Sequence, residues 1–254
     1  MALAIPYRVA LAIPHRGRTC TGMAPSNLSC AVVIGAGGGL GHALAASLER
    51  GGAYGSVVRL GRSTHPALDL LSEASIAEAA SWAGAQGEVR LVLDATGFLH
   101  DARFRPERAL REIDPAHMAH AFAINAIGPA LLMKHFCPLL PRRDRAVFAT
   151  LSARVGSIGD NRMGGWHSYR ASKAALNQLV RTAAVELRRH NPEALCVALH
   201  PGTVDTPLSQ PFAKTGLDAR PPDVAAREVL AVLDGLGPVS TGGFFDQHGG
   251  TVPW

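Results

Sequence analysis

Short apolar runs alternate along this chain with longer segments whose apolar residues recur every three or four positions. Ala31–Ile34 is wholly apolar and runs into glycine, which predicts a buried strand. Leu40–Arg50 carries Leu44 and Leu48 four apart and predicts a helix with one apolar face. The alternation then repeats. Strands are expected at Val57–Leu60, briefly at Ala67–Leu70, and at Val89–Ala95, with a helix from about Ser72 to Ala83. Asp114-Pro115 marks a helix start, with Asp as the cap and Pro in the first turn. That helix runs through Asn125 to Gly128-Pro129 and resumes to His135. A strand at Ala146–Leu151 follows, then a helix over Ser168–His190 with Ala175, Leu176, Leu179, Ala183 and Leu187 on its apolar side. Leu195–Leu199, Pro221–Leu233 and Val239–Phe245 give a strand, a helix and a segment containing the last strand. Continuously apolar strands alternating with helices predict an α/β fold. It is a single doubly wound parallel sheet of about seven strands with helices on both faces. Right-handed crossovers place its binding site beyond the strand C-termini.

Composition narrows this picture only a little. The chain is 47% hydrophobic and 18% charged, with a net charge of +5, which suits a compact core. Its basic residues are dispersed, so nucleic acid is not an expected partner. No uninterrupted apolar run approaches the ~20 residues of a membrane span, and a cytoplasmic location is expected. Cys20, Cys30, Cys137 and Cys196 show no metal-ligand spacing and read as reduced thiols.

The first 29 residues stand apart from residues 30–254. Ala2-Leu-Ala-Ile-Pro-Tyr-Arg8 recurs as Ala10-Leu-Ala-Ile-Pro-His-Arg16, and no acid precedes Glu49. Three readings stay open. Translation starts at Met23 and the preceding tail is dispensable; the segment is a targeting signal, although Pro6 and Pro14 break any amphipathic helix; or it is a structural arm.

Three separated motifs carry the candidate chemistry. Gly35, Gly37, Gly38, Gly39, Leu40 and Gly41 form a glycine turn between a strand and a helix. Such a turn brings backbone N–H groups and a helix N-terminus to a pyrophosphate. Tyr169 and Lys173 put a phenol and an ammonium on one helix face. Pro201-Gly-Thr-Val-Asp-Thr206 follows a strand. After Leu60 comes Gly61-Arg62-Ser63, with no acid between Glu49 and Asp69. Arg62 therefore suits a 2′-phosphate, with Ser63 adding a hydrogen bond, and NADP(H) is expected over NAD.

Together these motifs make the chain, from about Ala31 to its C-terminus, resemble the short-chain dehydrogenase/reductases, and within them the C-factor-like and sniffer-like carbonyl reductases. Ile34 stands where the family usually has Thr. The resemblance implies a carbonyl or alcohol substrate, an NADP(H)-dependent hydride transfer, and a homodimer or homotetramer. Tyr169 would be the acid/base, helped by Lys173, which would also hold the nicotinamide ribose. Asn125 would hold a proton-relaying water. Asp69 and Leu70 would frame the adenine. Gly97, with Ala95 and Thr96, would lie beside the ribose. Thr206 would hydrogen-bond the carboxamide, Thr203 and Val204 would add backbone contacts to it, and Pro201 and Gly202 would complete this cofactor-binding segment. Asp94-Ala-Thr-Gly97 departs from the family's Asn-Asn-Ala-Gly, and Asp94 reads equally as a strand-end turn residue. The family's catalytic serine lies three residues before a glycine. Here that position, counted from Gly156, is Ala153. Ser152 is expected to orient the carbonyl, with Ser157 the alternative. The loop Asp160–His167 is expected to shape the substrate mouth, Trp166 and His167 serving as its wall, and the stretch to about Ala219 to form a lid. A cofactor-binding regulatory or signalling protein with weak turnover is the rival.

Overall fold

The structure, a computed structural model, describes residues 28–211 and 219–254. The N-terminal repeat and part of the expected lid lie outside them. Six parallel strands form one sheet: β1 Ser29–Ile34, β2 Ser56–Leu60, β3 Glu88–Asp94, β4 Ala146–Leu151, β5 Ala194–His200 and β6 Phe244–Asp246. Their order is β2-β1-β3-β4-β5-β6. The chain reverses its direction of winding between β1 and β3, which makes the sheet doubly wound.

Among the described residues six α-helices cover the sheet: α1 Gly39–Gly51, α2 Glu73–Gly84, α3 Pro115–Phe122, α4 Gly128–Phe136, α5 His167–His190 and α6 Pro222–Gly235. Two apolar layers result. On one face Val32, Val92 and Phe148 pack under Ile76 of α2, Phe136 of α4 and Leu176 of α5. On the other, Val33, Leu93 and Val197 pack under Leu44 of α1 and Val229 of α6. The continuously apolar strands are explained by this burial on both sides.

Three expected elements differ. Ala67–Leu70 is not a strand. Its backbone bonds locally, Leu68 N–H to Gly61 O and Asp69 N–H to Ser75 Oγ, so it forms a turn leading into α2. The last strand fills only the end of its expected segment and runs one residue past it, because Pro238–Ser240 forms a 3₁₀ turn first. The buried stripe of α5 is also rotated. It includes Ser172, Lys173 and Asn177 as well as Leu176, Val180, Ala184 and Leu187, so polar side chains face the sheet near its C-terminal edge.

The helix through Asn125 is interrupted by a π turn, Ala123–Ile127. Pro129 has no N–H to give the Asn125 carbonyl, and the Gly128 amide bonds Ala123 O instead. Including this turn, the helical run Pro115–Leu139 is long and apolar enough to cross a membrane, with a mean hydropathy of 1.2. It packs as a core helix, with Leu132 and Phe136 fully buried against the sheet. Cys30 and Cys196 are buried and unpaired, and Cys137 is half-buried.

Candidate active site

All six strands point the same way, so the segments that leave their C-termini gather along one edge. Gly35 takes φ +82°, a region that glycine enters at no steric cost. Its amide and that of Ala36 bond Leu60 O, at 2.8 and 3.1 Å, which joins the glycine turn to the exit of β2. A Cβ on Gly35 would lie 3.0 Å from the Ala95 carbonyl. A Cβ on Gly39 would lie 2.9 Å from Thr206 Cγ2. The turn is thus walled by β3's exit and by the segment after β5. Gly37, Gly38 and Gly39 are exposed, while Leu40 and Gly41 are buried beneath them.

The turn after β2 lies close by. Ser63 Oγ is 3.9 Å from the position of a Gly37 Cβ. Arg62 is exposed and forms no ion pair among the described residues. Thr64 fixes this turn by accepting from Gly61 N–H and donating to Gly61 O. Asp69 is exposed and accepts from Leu71 N–H, and Leu70 packs against Gly128 at the start of α4.

Farther along the edge, Gly97 gives open backbone beside Lys173. A Cβ there would stand 3.6 Å from Lys173 Nζ and 3.8 Å from Asn125 Oδ1. Lys173 is buried and donates to Leu151 O at 2.8 Å. Burial pulls its pKa down to about 8, and Asp94 acts against that fall. Tyr169, one turn earlier on α5, packs its ring edge-on to Trp166, centroids 6.2 Å apart. Burial pushes the phenol up to about 12. Its hydroxyl has no hydrogen-bond partner among the described residues, which leaves it available to a ligand.

Asn125 is fully buried and its side chain is committed. Oδ1 accepts from Phe98 N–H at 2.7 Å, and Nδ2 donates to Phe98 O and to Ser172 Oγ. It ties the segment after Gly97 to α5. Pro129 cannot give the Asn125 carbonyl the usual helical N–H, which makes that carbonyl, rather than the committed side chain, the candidate group for a water.

Ser152 departs most from expectation. Its hydroxyl donates to Asn177 Oδ1 at 2.6 Å, about 12 Å along the α5 axis from Tyr169. Strand alternation explains this. Thr150 and Ser152 project to the α5 side, where Asn177 waits in the buried stripe. Reaching a carbonyl would mean giving up that bond. Ser157 is also buried and accepts from Asp160 N–H, and Ala153 offers no hydroxyl. Ser152→Ala is therefore expected to leave Asn177 Oδ1 unpartnered, at a cost of about 1–3 kcal/mol. A melting temperature lower by about 2–10 °C, with turnover within about tenfold of wild type, is the expected result. An unchanged melt with turnover down by about 10² would show that the hydroxyl serves substrate.

Past β5, Arg220 clamps the segment Pro201–Thr206. It donates to Pro201 O at 3.0 Å, pairs with Glu228 and bridges by backbone to Val204. Its guanidinium fills the space where a Gly202 side chain would begin. Thr203 O accepts from Arg220 N–H. Arg220 was not singled out from sequence because it acts on backbone from across a long stretch of chain.

Glu107 was missed for a similar reason. It is a buried carboxylate accepting from Ser168 N–H at 3.2 Å and from the Ser168 hydroxyl, with His117 Nδ1 at 3.3 Å. Burial works to raise its pKa, but these hydrogen bonds and His117 leave it lowered. Glu107 thus caps the start of α5, where Trp166 holds φ +51° and offers no side-chain cap.

Comparison with known proteins accords with this geometry. The family model described as short chain dehydrogenase matches residues 29–216. C-signal of Myxococcus xanthus is 41% identical over 147 residues, 58% of this chain and 84% of that one. A short-chain dehydrogenase/reductase of Burkholderia multivorans with bound NADP superposes with a TM-score of 0.73 at 26% identity, over 89% of this chain and 100% of the other. The carbonyl reductase Sniffer of D. melanogaster superposes with a TM-score of 0.75 at 20% identity, over 90% and 99%.

Proposed function

Because this chain belongs to the short-chain dehydrogenase family, whose members are oxidoreductases, we propose that it is an NADP(H)-dependent enzyme acting on a small carbonyl or alcohol, with Tyr169 as its acid/base. One observation carries this. Tyr169 and Lys173 lie a turn apart on α5, and the ammonium borders the open backbone after β3, where a Cβ on Gly97 would stand 3.6 Å from Lys173 Nζ.

The residues present fit a dinucleotide. Gly35 and Gly39 leave backbone open where a Cβ would strike Ala95 or Thr206. Gly37, Gly38, Leu40 and Gly41 complete the phosphate turn, Arg62 and Ser63 would take the 2′-phosphate, and Asp69 and Leu70 the adenine. Ala95, Thr96 and Gly97 would border the ribose that Lys173 holds. Thr206 and the Thr203 and Val204 backbone would meet the carboxamide, and Pro201 and Gly202 would complete that segment. When bound, the nicotinamide supplies or accepts the hydride, and its oxidised form adds positive charge to the site.

In reduction, Tyr169 donates its proton to the carbonyl oxygen; in oxidation it takes the alcohol proton. A phenol near 12 with Lys173 already in place is a poor base at neutral pH, so the positive charge of a bound oxidised nicotinamide would have to act with Lys173 to bring it down. Asn125 holds Phe98 and Ser172 in place, and its backbone carbonyl, to which Pro129 has no N–H to give, would suit a water that passes protons to Lys173. Ser152 acts through Asn177 by fixing α5. Assembly as a homodimer or homotetramer and a cytoplasmic location belong to the same proposal.

Titration of the purified chain with NADPH and NADH, followed by a carbonyl panel, tests the cofactor. NADPH is expected to bind more tightly. Arg62→Ala should weaken NADPH by about 10- to 150-fold, or about 1.5–3 kcal/mol, with little change for NADH. Equal affinities in the wild type would sink the preference. The second reading, a cofactor-binding signalling protein with weak turnover, has Ala153 and the committed Ser152 hydroxyl in its favour. Tight NADPH binding without turnover on the panel would support it.

A further inference from the structure

Asp94 ends β3 and is buried to 1% exposure. It faces Thr150 across the sheet, and the Thr150 hydroxyl donates to its Oδ2 at 2.6 Å. Oδ1 accepts from the Thr96 amide at 3.0 Å and the Thr96 hydroxyl at 2.6 Å. Three donors converge on a group that is acceptor-only when ionised. Burial raises the carboxyl's pKa, and the two threonines and Lys173 act against that rise.

Lys173, 3% exposed, spends one proton on the carbonyl of Leu151, the residue after Thr150. A carbonyl carries no net charge, so a buried ammonium needs an anion nearby. Asp94 is the carboxylate that geometry brings to it without direct contact. It is held by Thr150 and Thr96, the sequence neighbours of the Leu151 carbonyl that Lys173 bonds and of Gly97, whose Cβ position lies 3.6 Å from Lys173 Nζ, and its charge supports the ammonium. The Tyr169 phenol, one turn away, is pushed up to about 12 by burial and so is neutral where Lys173 titrates, and the charged groups packed near this end of α5 are committed elsewhere. Arg170 donates to the Val155, Gly164 and Gly165 carbonyls. Arg154 pairs with Asp160 and Asp246, and Glu107 is held by Ser168 and His117. The π turn contributes the uncharged Asn125.

We propose that Asp94 is the resident counter-ion of Lys173, a positioning residue that keeps the ammonium charged inside the active-site edge. Its effect on rate rests on the hydride-transfer reading above; its effect on Lys173 does not. An amide at this position would fit: Oδ1 keeps both Thr96 bonds and Nδ2 donates to Thr150 Oγ1. Asp94→Asn therefore removes the charge and keeps the shape.

The test titrates Lys173 directly in the cofactor-free full chain, from its ¹³C-labelled ε-methylene signal, assigned by its loss in Lys173→Met. The signal is expected to titrate near about 8 in the wild type and about 1 pH unit lower, or more, in Asp94→Asn. Coincident titrations overturn the proposal. Thr150→Val, which withdraws one donor from the carboxylate, should move the signal the same way by less. If Asp94→Asn does not fold, no shift in Thr150→Val overturns it instead. Where the enzyme turns over, the alkaline limb of its alcohol-oxidation profile should move to lower pH in Asp94→Asn. An unmoved limb overturns the positioning role. A wild type inactive on every substrate sinks the hydride-transfer reading and leaves the titration to decide the counter-ion.

Discussion

Tyr169→Phe is expected to lower turnover by about 10²–10⁴ while NADPH binding is nearly kept. The ring should stay edge-on to Trp166, because the change removes only the hydroxyl. That hydroxyl has no partner among the described residues, so its loss leaves no buried group unpaired and the melting temperature should stay within about 2 °C. Single-turnover hydride transfer, followed at the nicotinamide absorbance on any accepted carbonyl, separates chemistry from product release. A variant that reacts at the wild-type rate would remove the phenol from the mechanism.

Gly41→Ala should be nearly as damaging for a different reason. A Cβ at Gly41 would lie 2.2 Å from Gly35 O and 2.8 Å from Gly35 C. Both are backbone, so nothing can swing aside. The cost should be roughly 3 kcal/mol or more, a melting temperature lower by about 6–12 °C, with NADPH affinity falling by about 10² or more as the turn is forced open. Gly37→Ala is the control. Its new methyl would meet only Ser63 Oγ at 3.9 Å, and the melt should not change. Equal melts for Gly41→Ala and Gly37→Ala would show that the turn is looser than drawn.

The sheet was legible because the strand centres are apolar runs, such as Ala31–Ile34, Leu91–Leu93 and Ala146–Ala149, and most helices keep one apolar stripe. Ala67–Leu70 misled because it is strand-like in composition while its hydrogen bonds go to Gly61 and Ser75, and local bonding is invisible in an apolar count. Glycine spacing, Tyr169 and Lys173 were legible because each depends on local geometry. Ser152 was harder. A shift of one residue along β4 turns a side chain from one face to the other, and only the sheet's register reveals that Asn177 lies opposite. Glu107, Asn177 and Arg220 act across long sequence separations. A buried carboxylate at 107 had a weak signal, an acid within an otherwise basic stretch from Arg103 to Arg111, but nothing in the sequence named Ser168 as its partner.

Glu107 bears on how this enzyme could be re-engineered. Loops between a strand and the next helix are natural cassettes for altering what such a protein accepts, and the stretch from 98 to 112 is the obvious one to exchange. Here that cassette also carries the anchor for the first turn of α5 and, through Phe98, the grip of Asn125. A graft that leaves out an acid able to reach Ser168 would unsettle the very helix that presents Tyr169. Loop libraries should therefore hold Glu107 and the Phe98 backbone fixed and vary only the positions between them.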